Sequence, residues 1–125
     1  MLDDLTKIST DPAKSSFCQR KTLCLSLAGN KVKIMAKLEK PSAINYLDEI
    51  VDLSDGIMVA RGDLGVEMNP WDVPVIQKRI VETCKFLGKP VVIATQMMES
   101  MIDRVKPNRS EITDVANAVL EGADA

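Results

Sequence analysis

Apolar and polar positions switch between two periods along this chain, and the switch points predict its elements. From Val32 to Leu38 the run VKIMAKL alternates, with Val32, Ile34, Ala36 and Leu38 on one face. That is strand patterning, and it ends at Glu39-Lys40-Pro41. Ile44, Leu47, Ile50 and Val51 then recur at helical spacing, with Pro41 tolerated in the first turn. Asp55-Gly56 breaks this pattern before a second strand, Ile57 to Ala60, which runs into Arg61-Gly62-Asp63-Leu64-Gly65. Asn69-Pro70 reads as an N-cap and first-turn pair. Behind it Val73, Ile76, Ile80, Cys84 and Leu87 form one helical stripe, stopped by Gly88. Val91 to Thr95 is a third strand. After a polar stretch, Ser110 is expected to cap a helix carrying Ile112, Val115, Ala116, Val119 and Leu120, ended by Gly122.

The order is β-α-β-α-β-α. The second and third strands are short and almost wholly apolar, as expected of parallel strands covered on both faces. This is an α/β fold, either an open doubly wound sheet or part of a TIM (β/α)8 barrel. A complete barrel needs about 250 residues, so 125 residues allow only an incomplete one. In a barrel, Met35, Ile57, Val59, Val91 and Ile93 are expected to fill the interior. Residues 1–30 fit the alternation poorly and stay an unassigned N-terminal segment; residues 31–125 carry the βα units.

Composition narrows the chemistry. Sixteen Lys+Arg against 18 Asp+Glu give a formal charge of −2, which speaks against a nucleic-acid footprint. Hydrophobic residues make up 46%, too many for intrinsic disorder. There is no histidine, so a His-based triad, a His-ligated zinc and an imidazole base are all excluded. Cys18, Cys24 and Cys84 form no CxxC pair and read as thiols of a reducing cytoplasm. No apolar run is long enough for a bilayer, and Asp3 and Asp4 spoil a signal peptide.

In parallel α/β folds functional groups gather at strand carboxyl ends. Here those ends carry Lys37 and Glu39, then Arg61-Gly62-Asp63, then Thr95-Gln96. Lys37 and Glu39 are two apart and share a strand face. Two carboxylates without imidazole or thiolate suit Mg²⁺ or Mn²⁺, and a lysine beside them suits charge neutralisation on a transferring phosphoryl group. Simpler readings stand beside these. Lys37 and Glu39 could be a same-face ion pair, Asp63 between glycines could be turn chemistry, and Thr95 could merely end a strand. No P-loop is present, since Gly88-Lys89 is followed by Pro90.

Four motifs together resemble the pyruvate kinase family: Lys37-Leu-Glu39, Ile57-Met-Val-Ala-Arg-Gly-Asp-Leu-Gly-Val-Glu67, Lys89-Pro-Val-Val-Ile-Ala-Thr-Gln-Met-Met-Glu-Ser-Met101 and Asp114-Val-Ala-Asn-Ala-Val-Leu-Glu-Gly-Ala-Asp124. The resemblance implies that residues 31–125 are part of the catalytic barrel, about strands five to seven. It implies phosphoryl transfer from phosphoenolpyruvate to ADP, giving pyruvate and ATP in glycolysis. By the same resemblance Lys37 is the lysine that stabilises the transferring phosphoryl group, and Glu39 and Asp63 are the divalent-metal ligands. The amides of Gly62 and Asp63 with the Thr95 hydroxyl hold the carboxylate of phosphoenolpyruvate, and Thr95 also takes part in catalysis. Mg²⁺ or Mn²⁺ is the implied cofactor, with K⁺, whose family ligands lie in segments this sequence does not match. The resemblance further implies a cytoplasmic homo-oligomer, a tetramer when intact, with no nucleic-acid or membrane partner. The chain alone is expected to be inactive. The rival readings are a metal-dependent lyase or aldolase on a related barrel, and a non-catalytic truncated chain that binds a full-length subunit.

Overall fold

The structure, a computed structural model, describes Ser26, Leu27 and residues 32–125. The features noted for residues 1–25, including Cys18 and Cys24, lie outside these.

Three parallel strands form one sheet in the order β1-β2-β3: Met35–Leu38, Gly56–Ala60 and Val91–Ala94. A 3₁₀ segment (Pro41–Tyr46) and helix α1 (Leu47–Leu53) join the first two strands. Helices α2 (Arg61–Glu67) and α3 (Val73–Phe86) join the second and third. A second 3₁₀ segment (Glu99–Ile102) leads to α4 (Arg109–Glu121). The parallel βα alternation is therefore present, and the sheet is open, consistent with part of a barrel. After α4 the chain turns back along β3: Asp124 donates its amide to the Val91 carbonyl, and Ala125 accepts from the Ile93 amide.

Register determines which side chains share a face. Ala36, Ile57 and Val91 are neighbours across the sheet, as are Leu38, Val59 and Ile93. All six are buried, in one cluster with Leu47, Ile50 and Val51 of α1 and Ile80, Val81 and Cys84 of α3. The other face carries Met35, Lys37, Met58 and Val92, all exposed or half-buried. Ile57, Val59, Val91 and Ile93 thus pack on the helices and do not fill the barrel interior; of the five residues expected there, only Met35 is on that side. Burial pushes the Cys84 thiol up to about 11, as befits a small apolar core residue rather than a nucleophile.

Four local expectations are corrected. β1 begins at Met35, not Val32, because Ile34 is already engaged at the sheet's rim, its amide on the Asp55 carboxylate at 2.8 Å. The Arg61–Glu67 stretch is helical despite two glycines, because Leu64, fully buried, pulls the turn onto the core. α3 starts at Val73 behind Asp72: Asn69 closes a turn onto Asp72 instead of capping, its carbonyl accepting the Asp72 amide at 2.9 Å. Asn108, not Ser110, caps α4, in a capping box with Glu111. The stops do hold. Gly88 and Gly122 both adopt positive φ, and a Cβ at Gly122 would meet Lys85 Nζ at 2.7 Å. Of the expected α4 stripe, Ile112, Val119 and Leu120 remain exposed and Ala118 is the buried residue.

Candidate active site

The carboxyl ends of the three strands bring all five sequence-predicted residues to one rim. Lys37 leaves β1 opposite the buried Ala36 and Leu38. Its ammonium lies 2.5 Å from Glu39 Oε1 and 2.9 Å from Asp63 Oδ2. The hydrogen bonds to Glu39, and next to Asp63, raise the Lys37 pKa above its usual 10.5. The same-face ion pair expected between Lys37 and Glu39 is therefore present, and Asp63, on the next βα connection, joins it. Both carboxylates converge on one cationic atom, and their hard oxygen donors suit Mg²⁺ or Mn²⁺. Among the described residues no group of three or more acidic or thiol side chains stands ready for a metal. A divalent ion held here would rely on two protein carboxylates, with remaining positions left to water or substrate oxygens, which is usual for Mg²⁺.

Beside this triad, the Gly62 amide donates to Thr95 Oγ1 at 2.8 Å. A Cβ at Gly62 would sit 3.0 Å from that oxygen, so glycine permits this close approach. A backbone amide can only donate, so the Thr95 hydroxyl accepts here and keeps its own hydrogen for another partner. Thr95 has φ +73°, Gln96 +58° and Met98 +55°. Left-handed backbone at residues other than glycine costs on the order of 1 kcal/mol or more each, and persists only where surrounding contacts over-determine it.

Those contacts come largely from Arg61. Its Nη1 donates to both Asp114 carboxylate oxygens, at 2.7 and 2.8 Å, and its Nη2 to the Thr95 carbonyl at 2.8 Å. Sequence reasoning left Arg61 and Asp114 without partners: they lie 53 positions apart, and no local pattern joins them. At the far end of the segment, Glu111 accepts from the amides of Ser100 and Asn108 and from the Ser100 hydroxyl. A cavity of about 260 Å³ is lined by Arg61, Gln77, Gln96, Asp114 and Glu121, among others. Lys37, Glu39, Asp63 and Thr95 do not line it, but Arg61, which bonds the Thr95 carbonyl, and Gln96 do, so the cavity adjoins the rim.

Parallel strands, helices packed on one face and polar groups at the strand ends define part of a (β/α)8 barrel. The family model described as the pyruvate kinase barrel domain matches residues 13–125, and the chain belongs to the pyruvate kinase family. The match begins within the segment that the motifs leave unassigned. The pyruvate kinase of Methylorubrum extorquens is 61% identical over 99 residues, covering 79% of this chain and 21% of the relative. One from Agrobacterium vitis is 48% identical over 122 residues, covering 95% and 25%. Among solved structures, a pyruvate kinase from Cryptosporidium parvum superposes with a TM-score of 0.76 at 46% identity, over 83% of this chain and 23% of that one. The chain thus spans between a fifth and a quarter of the length of these curated relatives. No helix among the described residues is long and apolar enough to cross a membrane.

Proposed function

We propose that this chain carries the phosphoryl- and carboxylate-handling rim of a pyruvate kinase active site, working in the cytoplasm as part of a longer homo-oligomeric enzyme. The reaction is transfer of the phosphoryl group of phosphoenolpyruvate to ADP, giving pyruvate and ATP. The observation that carries this reading is the Lys37 ammonium held between Glu39 and Asp63 at the strand ends. One cation and two carboxylates sum to −1, and a divalent cation on the carboxylates would bring the set to +1, which would suit a phosphorylated carboxylic acid better than a neutral substrate.

In this reading the Lys37 ammonium offsets charge on the oxygens of the transferring phosphoryl group, an electrostatic contribution that grows toward the transition state. Its raised pKa keeps it charged throughout the neutral range. Glu39 and Asp63 would hold Mg²⁺ or Mn²⁺, which when bound would supply Lewis-acid polarisation of substrate oxygens. K⁺, expected for the family, finds its ligands outside the matched motifs. The Thr95 hydroxyl donates the hydrogen it keeps to the carboxylate of phosphoenolpyruvate, and the amides of Gly62 and Asp63 line the same place. After transfer the enolate must be protonated at carbon. A threonine hydroxyl is a poor acid, and the hydrogen of Thr95 is already turned to the carboxylate, so water is the proton donor beside it.

The test uses a full-length chimera in which residues 32–125 replace the matching segment of the Methylorubrum extorquens pyruvate kinase. Lys37→Ala should lower kcat by roughly 10²-fold or more while the KM for phosphoenolpyruvate changes less, the signature of a group that acts on the transition state. Lys37→Arg should recover little of it, because a planar guanidinium does not replace a compact ammonium. Normal kcat in Lys37→Ala would refute the assignment.

A further inference from the structure

We propose that Arg61 and Asp114 form a clamp that positions Thr95 for the substrate carboxylate; this rests on the reading of the site given above. Successive residues hold Thr95 at two atoms. The Arg61 guanidinium grips its carbonyl at 2.8 Å, and the Gly62 amide grips its Oγ1 at 2.8 Å. The Met97 sulfur, two residues on, also accepts from Arg61 Nη2, at 3.0 Å. Thr95 and Gln96 both keep left-handed backbone, a conformation that needs such external contacts to stay populated.

The clamp is a poor stability device, which points to geometry as its role. The Arg61 side chain is only 11% exposed, and its Nε is buried with no hydrogen-bond partner among the described residues. Buried ion pairs seldom add net stability, and an incompletely satisfied one adds less. A guanidinium fork held by a carboxylate does fix direction, since its donors lie in one rigid plane. Asp114 sits on α4, so the clamp ties the start of α2 to the last described helix beside the Thr95 segment. No hydrogen bond among the described residues links Arg61 or Asp114 to Lys37, Glu39 or Asp63. The hydrogen bonds that Arg61 makes beyond Asp114 run to Thr95 and Met97, so Thr95 is the site residue that the pair holds directly.

A double-mutant cycle in the full-length chimera tests this. Arg61→Lys and Asp114→Asn should each lower kcat/KM for phosphoenolpyruvate by about tenfold or more, mainly through KM, with Mn²⁺ affinity unchanged. In a Thr95→Val background each should cost less than about twofold further, because the group they position has gone. Losses that multiply in the Thr95→Val background, or unchanged kcat/KM in both single variants, would overturn the clamp. Should Arg61→Lys fail to fold, Asp114→Asn, nearly isosteric, carries the cycle alone. Hydrogen exchange supplies a readout apart from turnover: Asp114→Asn should speed exchange of the Gly62 amide by about tenfold, as its acceptor on Thr95 drifts. A chimera that does not turn over phosphoenolpyruvate defeats the reading of the site, and exchange then decides the clamp by itself; an unchanged Gly62 rate refutes it.

Discussion

The Gly62 amide donates to Thr95 Oγ1 at 2.8 Å, across 33 positions of sequence, and so ties the start of α2 to the end of β3. Two groups that the family resemblance assigns to one substrate carboxylate are bonded to each other. The pair is thus a preformed notch in which the amide hydrogen and one lone pair of the hydroxyl are already used, while the hydroxyl keeps its own hydrogen to donate.

Gly62→Ala tests this closeness. The new Cβ would lie 3.0 Å from Thr95 Oγ1, so the hydroxyl must give way by a few tenths of an ångström. Backbone strain is not involved, since Gly62 lies within α2 and has no positive φ. In the full-length chimera the KM for phosphoenolpyruvate should rise by about tenfold, the worth of one weakened hydrogen bond. Unchanged KM would show that Thr95 Oγ1 does not need this position.

Metal binding should depend on both carboxylates. Glu39→Gln and Asp63→Asn each remove one of the two charges that converge on Lys37. Each should weaken Mn²⁺ binding in the chimera by about tenfold or more, read by paramagnetic relaxation of water. Equal affinity in both variants would mean that the ligands lie elsewhere.

Glu111 predicts an acid-side dependence of stability. Hydrogen bonds from the Ser100 hydroxyl first, then from the amides of Ser100 and Asn108, hold its carboxyl below the usual 4.5. A carboxyl lowered in the folded state contributes stability above its unfolded pKa, and loses it as pH falls through the folded value. The difference in thermal midpoint between the chimera and its Glu111→Gln variant should be constant from pH 7 to about 4.5 and shrink below that. A difference that does not change with pH would show that the clasp does not depend on the carboxylate's charge.

The 125-residue chain by itself should neither transfer phosphate nor remain monomeric. The sheet face bearing Met35, Met58 and Val92 is only partly covered, and the outer edge of β1 has no partner strand among the described residues. Ile112, Val119 and Leu120 of α4 are exposed as well. Light scattering of the purified chain should show association, and assay with phosphoenolpyruvate, ADP, Mg²⁺ and K⁺ should give no turnover above a Lys37→Ala control. Turnover above that control would prove this wrong.

Much of the rim was legible in the residue order. Each strand runs straight into the polar groups that end it, so Lys37, Glu39, Gly62, Asp63 and Thr95 could be named before any tertiary contact was known. The strand–helix alternation and the glycine stops at 88 and 122 were legible for the same reason: they depend on periods and backbone freedom within a few residues. The faces of β2 and β3 were not. Ile57-Met58-Val59 and Val91-Val92-Ile93 are apolar on both sides, so a period of two cannot tell helix side from barrel side. Pairing across the sheet decides it, because Lys37 aligns with Met58 and Met58 with Val92, carrying the polar face of β1 through the others. The helix over Arg61–Glu67 and the Arg61–Asp114 clamp likewise needed the assembled fold. Burial of Leu64 outweighs the local cost of two glycines, and a guanidinium meets a carboxylate 53 positions away only once the start of α2 and helix α4 are brought together.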